Sequence, residues 1–390
     1  MKKIRFRGFL NKWKKAVAGD FLEGKNGFAF ASKDYKLDGK FSVLTIKNVQ
    51  GDKTIDVQNL TKVDKIPLGV QEHQKLKVGD ILISMTGNVG RVSMVHIENC
   101  LLNQRVGLIA PNNKIYKEFL YWMLKTDSFI NTMESKATSI QKNISLKSVE
   151  EYSFFLPPTI QEQQKIAEFL STIDELETTL KNQLEQVELM KKYYLEKLFP
   201  KKDADIPNLR FEYFKSESWK PTTLKSMFLN KSVLIKTATK KYLKENIFTV
   251  GLFPVIDQGQ TYINGYVNET SFLIPKNEYL IFGDHTEIFK FVNFSFCQGG
   301  DGLKIIECNS NFFSLRFLFY SLVSNYKIVG GYSRHFKYLV ETKISIPSAF
   351  QEQQKIADFL STIDEQAESL KNQLSNIQEM KKYYLRSLFF

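Results

Sequence analysis

Two stretches of the chain carry an apolar stripe at helical spacing. In residues 161–199 one heptad position holds Ile166, Ile173, Leu180, Val187 and Tyr194, and a second holds Phe169, Leu176 and Met190. Residues 351–389 repeat it with Ile356, Ile363, Leu370, Ile377 and Tyr384, then Phe359 and Met380. Neither stretch contains Gly or Pro, whereas Pro157 and Pro158 precede the first, Pro200 follows it and Pro347 precedes the second. The spacing predicts two long helices. Gln183 and Gln373 fall on the seam, where a buried amide needs a partner, so they are expected to fix register against one another. Leu170, Leu184 and Leu198, with Leu360, Leu374 and Leu388, widen the apolar face beyond what one partner helix covers, and a third or fourth helix from another chain is expected.

Shorter apolar runs bounded by turn residues predict strands at 41–46, 80–84, 105–109 and 152–156, with a helix from about Tyr116 to Met133. The second half echoes them at 279–282 and 303–306, with a helix through Phe317, Leu318, Phe319 and Tyr320.

The echo is an internal repeat. Residues 161–199 return as 351–389 with 27 of 39 positions identical. A weaker repeat places Arg5, Phe6, Phe9 and Trp13 against Arg210, Phe211, Phe214 and Trp219. The expected organisation is a globular segment at 1–157, a repeated helix at 158–200, a second globular segment at 201–347 and the second helix at 348–390. The fold class is mixed α+β: two α/β modules separated by two long coiled-coil helices. Two ordinary domains with core helices are the alternative, but near-identity between divergent segments fits two copies packing together better.

A chain of 390 residues accommodates two to four domains, and 43% hydrophobic with 25% charged residues excludes whole-chain disorder. No apolar run approaches a membrane span and no signal peptide follows the basic start, so a cytoplasmic chain is expected. Three cysteines and four histidines show no metal-ligand spacing, and no metal site is expected. The net charge of +12 points to a polyanion. It is carried by residues 1–157 at +10 and 201–347 at +6, while the helical segments 158–200 and 348–390 are −3 and −1. The globular segments are therefore the polyanion's, and the helices face protein.

Catalytic patterns are weak. Gly19 to Asn26 nearly spells a phosphate-binding loop, but Asn26 stands where magnesium needs a hydroxyl and no apolar strand leads into Gly19. Asp284, His285 and Glu287 lack the remainder of a nuclease site and are expected to hydrogen-bond DNA or a loop. The Pro-Pro pair of an adenine methylase occurs only at Pro157-Pro158, at a helix entrance. What remains suits base edges and phosphates: Thr86, Asn88 and Arg91; Asn103, Gln104 and Arg105; and Lys136, Ser139, Gln141, Lys142 and Asn143. In the second module the candidates are His285 and the late loop with Tyr332, Ser333, Arg334, His335 and Lys337.

The Arg-Phe…Phe…Trp opening of each half, the strand at 79–84, the loop at 331–335 and the exit Pro157-Pro158-Thr159-Ile160-Gln161-Glu162-Gln163 together resemble the specificity subunits of type I restriction-modification systems. The second exit, Pro347-Ser348-Ala349-Phe350-Gln351, lacks the double proline. The resemblance implies two target-recognition domains, each reading half of a split asymmetric site in double-stranded DNA, and two antiparallel spacer helices in a pseudo-two-fold repeat. It implies two methyltransferase subunits and endonuclease subunits as partners. The chain itself would be non-catalytic and free of cofactors, with S-adenosylmethionine, ATP and magnesium on the partners. A coiled-coil scaffold with nucleic-acid-binding modules and an autonomous DNA-modifying enzyme are the other readings.

Overall fold

The computed structural model describes residues 4–137, 142–201, 204–236, 241–242, 244–269, 272–309, 313–331 and 333–389. They fall into two units, 1–181 with 372–390, and 182–371.

The first unit contains β1 (Lys14–Val17), β2 (Leu22–Asn26), β3 (Phe41–Leu44), β4 (Thr61–Val63), β5 (Lys75–Leu76), β6 (Ile81–Ser84), β7 (Val92–Met94), β8 (Cys100–Leu102) and β9 (Val106–Pro111). Then come α1 (Lys117–Leu124), α2 (Asp127–Lys136), α3 (Leu146–Glu150), β10 (Ser153–Leu156) and the first part of α4 (Ile160–Lys197). One sheet has the order β2-β9-β6-β7, a second β4-β3-β8-β5, and β1 pairs with β10. Ile81, Leu82 and Ile83 of β6 are apolar without alternation, and Ser84 after them is buried too, because both faces are covered. Ile81 and Ile83 join the core under α1 and α4, while Leu82 joins Leu44, Leu102 and Leu108 beneath the second sheet.

The single helix expected at 116–133 is two. Thr126 breaks it: its hydroxyl accepts from Phe129 N at 3.3 Å and caps α2, offering the backbone an alternative to continuing α1.

The second unit repeats this plan with β11 (Trp219–Thr223), α5 (Leu224–Leu229), β12 (Val233–Lys236), β13 (Phe253–Ile256), β14 (Gly265–Val267), β15 (Tyr279–Gly283), β16 (Phe289–Val292), β17 (Cys297–Gln298) and β18 (Leu303–Cys308). It closes with α6 (Leu315–Asn325), α7 (Phe336–Val340), β19 (Lys343–Pro347) and α8 (Phe350–Leu388), of which residues to 371 belong here. The sheet orders are β12-β18-β15-β16, β14-β13-β17 and β11-β19. Each sheet corresponds to one in the first unit, including the parallel pairs β3–β8 and β13–β17.

Each unit seats its long helices in the same way. Glu162, in the first turn of α4, is 1% exposed and accepts from Arg5 Nε at 2.6 Å, Arg5 Nη2 at 2.8 Å and Trp13 Nε1 at 3.0 Å. Glu352 of α8 accepts from Arg210 Nε at 2.9 Å, Arg210 Nη2 at 2.7 Å and Trp219 Nε1 at 3.2 Å. The neighbouring glutamines also match. Gln163 accepts from Tyr116 N and donates to Pro157 O, and Gln353 accepts from Ser314 N and donates to Pro347 O.

In the first unit the early part of α4 runs antiparallel to the late part of α8. Phe169 meets Tyr384 edge-on at 4.7 Å, and Asp174 and Glu177 bind Lys381. In the second unit Tyr194 meets Phe359 at 4.7 Å and Lys191 binds Asp364. Ile166, Ile173, Leu180, Val187, Ile356, Ile363 and Leu370 are buried; Ile377 is half-buried. The second seam position lies one residue later than expected. Leu170 and Glu177 are buried and Leu184 half-buried, whereas Leu176 is 45% exposed. Gln183 and Gln373 are exposed, so neither is a buried seam amide. A straight helix drifts about 20° per heptad from a 3.5 repeat, which favours the later position.

Candidate nucleic-acid interface

The turn between β6 and β7 is the hub of the first unit's polar edge. Met85 N donates to Arg105 O at 3.1 Å, Ile144 N donates to Met85 O at 2.9 Å, and Thr86 pairs with Asn143 in an antiparallel bridge. Three stretches far apart in sequence, around 86–91, 103–105 and 142–143, are thereby joined at the C-terminal end of β6. Asn88, Gln104, Arg105 and Lys142 are exposed, Thr86, Arg91 and Asn143 partly so. Asn103 is 8% exposed and its Oδ1 accepts from Arg105 N at 3.1 Å, so its side chain shapes the turn that presents Arg105. Gly27 lies against this turn, and a Cβ there would fall 2.1 Å from Asn103 O. Ser139 and Gln141 lie outside the described residues.

The second unit builds the same hub after β15. Asp284 N donates to Gly302 O and His335 N donates to Asp284 O, both at 2.7 Å. The residues 284–287 hold the late loop. Asp284 Oδ1 accepts from Phe336 N at 2.8 Å. Glu287, at φ +58°, accepts from Tyr326 Oη at 2.5 Å, Val329 N at 2.8 Å and Gly330 N at 2.7 Å. Burial would raise the Glu287 carboxyl, but these donors and nearby His335 prevail and hold it below the usual carboxylate range. His285 Nδ1 lies 3.0 Å from Ser333 O. Of the two partners expected for this cluster, DNA or a loop, its contacts here are with the loop.

His335 is 0% exposed, with Nε2 3.1 Å from Gly331 O; its ring lies beneath the loop, not at the surface. Arg334 and Lys337 are exposed and Ser333 is half-buried. Tyr332 lies outside the described residues.

Ion pairing separates the cations. Lys136 is 3.2 Å from Glu151, Lys304 is 3.8 Å from Asp284, and Lys241 binds Asp301. Among the described residues Arg91, Arg105, Lys142, Arg334 and Lys337 form no salt bridge, although Arg334 lies close enough to Asp301 to lower its carboxyl. Such cations suit a polyanion.

Two loops that the sequence pattern did not single out join these edges. In the first unit Gln50 lies beside Arg91, with Nη1 3.1 Å from Gln50 Oε1. In the second, Gln258 Oε1 accepts from His285 N at 3.2 Å, and Lys290 Nζ donates to Asp257 O and Thr261 O. Their only local signals are turn residues: Thr45 with Asn48, and Asp257 with Gly259. Among the described residues no group of His, Cys, Asp and Glu could hold a metal, and no helix is long and apolar enough to cross a membrane.

Comparison with known proteins follows the two halves. Residues 11–186 and 216–379 each match the model for the type I restriction modification DNA specificity domain. The MjaX type I restriction enzyme specificity subunit of Methanocaldococcus jannaschii is 26% identical over 410 residues, 96% of this chain and 92% of its own. The MjaVIII specificity subunit of the same organism is 23% identical over 415 residues, with the same coverage. The crystal structure of a type I restriction-modification S subunit from M. genitalium superposes with a TM-score of 0.73 at 19% identity, covering 100% of this chain and 99% of that one.

Proposed function

The chain belongs to the family of type I restriction modification DNA specificity domains, and from that membership we propose that it is the DNA-recognition subunit of a type I restriction-modification complex. It is not itself an enzyme. The observation that carries this reading is that both units present a polar edge on one backbone plan, at Met85 and at Asp284, with different side chains. Same scaffold and different reading surface is what a split asymmetric site in double-stranded DNA requires, each unit reading one half.

The target-recognition domains are residues 1–157 and 201–347, and the spacer segments are 158–200 and 348–390. The base and phosphate contacts are made from Thr86, Asn88, Arg91, Gln104, Arg105, Lys142 and Asn143 in the first, and from Ser333, Arg334 and Lys337 in the second, alongside the other residues of those loops. α4 and α8 act as a spacer whose length sets the gap between half-sites, since 39 helical residues at 1.5 Å each reach about 58 Å. Their near-identical sequences offer equivalent docking faces to two methyltransferase subunits. Leu176, Leu189, Met190, Tyr193 and Tyr383, exposed on the helices, support a protein-covered face. Endonuclease subunits complete the complex in the cytoplasm, and S-adenosylmethionine, ATP and magnesium are held by the partners.

The test is adenine-methylation mapping in a methylation-free host that expresses this chain with its methyltransferase subunit, against the methyltransferase alone. A split asymmetric motif seen only with this chain is expected. Absence of a motif, with complex formation verified, would overturn the reading.

A further inference from the structure

We propose that Arg91 reads a guanine in the half-site of the first unit, and that Gln50 is a positioning residue acting through it. This deepens the DNA-recognition reading and rests on it.

The arginine is fixed from its backbone outward. Arg91 N donates to Ser84 Oγ at 3.1 Å, and Ser84 N donates to Arg91 O at 2.9 Å. Its stem lies over Gly51, whose φ of +95° favours glycine; a Cβ there would touch Arg91 Cγ at 3.7 Å and Cβ and Cδ at 3.8 Å. Gly51 O is in turn gripped by Lys125 Nζ. At the head, Arg91 Nη1 donates to Gln50 Oε1 at 3.1 Å and to Gln50 O at 3.4 Å. Gln50 cannot turn its amide over without loss, because Nε2 donates to Ile46 O at 3.0 Å and Lys47 O at 2.9 Å.

The partner's chemistry points to the ligand. Arg5 and Arg210, which hold the fold together, each face a buried carboxylate through two nitrogens. Arg91 faces a neutral amide through one nitrogen, a partner that brings no opposite charge, and Nε and Nη2 make no bond to the described residues. Two adjacent donors on one planar edge match two adjacent acceptors. Guanine presents O6 and N7 in the major groove, whereas adenine sets a donor beside its acceptor, and neither pyrimidine offers two acceptors there. A side chain already held in one rotamer meets the base without an ordering cost. The second unit has Ile288 and Phe289 after its equivalent turn, so this contact belongs to one half-site only.

The experiment selects from a randomised duplex DNA pool with the full-length chain and sequences the bound fraction. Wild type is expected to enrich a split motif with a fixed guanine in one half. Arg91→Ala should lose about 5- to 150-fold of preference at that one position. The other half of its motif should be unchanged, which also shows that the variant folds. Gln50→Leu should broaden the same position alone, and so should Gln50→Glu, whose carboxylate would compensate Arg91 and set an oxygen against the Ile46 and Lys47 carbonyls. A uniform loss across all sequences with a shallower salt dependence would make Arg91 a phosphate contact and overturn the proposal. So would an unchanged motif in Arg91→Ala. A wild-type chain that enriches no motif would overturn the DNA-recognition reading beneath it, a result distinct from either.

Discussion

A single glutamate in the first turn of each long helix ties that helix to the opening residues of its own half of the chain, and the two copies differ in burial. Glu352 is 0% exposed and Arg210 7%, whereas Arg5 opposite Glu162 is 28% exposed. Removing one partner of a buried pair leaves an uncompensated charge at a cost of about 3–5 kcal/mol, while an accessible arginine regains water. Glu352→Ala should therefore lower the urea midpoint of its unit clearly more than Glu162→Ala lowers that of its own. Equal losses would show that burial of the arginine does not set the cost. These pairs were half legible in the sequence: the Arg-Phe…Trp repeat marks the donors, but nothing local says that they converge on Glu162 and Glu352. Glu287 was less legible still, because its role depends on a positive φ and on backbone N–H groups 42 and 43 residues away. Glu287→Gln weakens the grip on Val329 and Gly330, so base preference in the second unit's half-site should blur while the first half-site stays sharp. Preserved discrimination in both halves would show that the loop holds its form without the carboxylate.

At the scale of elements, α4 and α8 were read correctly as helices because 39 residues without Gly or Pro leave little alternative. Which seam positions they bury was not, since Leu176 and Glu177 differ by one residue and hydropathy favours the wrong one. Glu177 lies on the seam because charge compensates it. Burial would raise its carboxyl, but hydrogen bonds from Lys181, Lys381 and Gln378 prevail and hold it at about 2, below the ordinary 4.5. A depressed folded pKa stabilises fully above the unfolded value and is lost as pH falls through the folded one. The first unit should thus lose stability on the order of 3 kcal/mol from this group between pH 4.5 and 2. Glu177→Gln should flatten that part of its pH–stability curve, and an unaltered slope would remove Glu177 as its source. The helices' length makes a second claim. Four residues inserted into both, near Leu180 and Leu370, add about 6 Å of rise, close to two base-pair steps. The methylated motif should keep both half-sites and widen its gap, and an unchanged gap would end the spacer reading.

For the molecule as a whole, the repeat makes the strongest claim, because the same residue pairs recur with the two helices exchanging roles. Phe169 of α4 meets Tyr384 of α8 in one unit, and Phe359 of α8 meets Tyr194 of α4 in the other. Glu162 and Glu352 each take an arginine and a tryptophan from the opening of their own module. The modules therefore share these seating contacts, while others differ, Trp122 meeting Ser171 in one unit and Tyr320 meeting Asp364 in the other. A chain in which residues 1–157 are replaced by a second copy of 201–347 should fold on the same contacts, since Arg210 and Trp219 replace Arg5 and Trp13 opposite Glu162. Asymmetry of the site then has no remaining source. Such a chain, expressed with the methyltransferase subunit, should direct methylation to a split palindrome, both halves being the half-site that 201–347 reads in the parent. A direct repeat of that half-site would mean that the exchanged helix roles do not invert the modules on DNA, and an unchanged parental motif would mean that the modules do not carry the specificity.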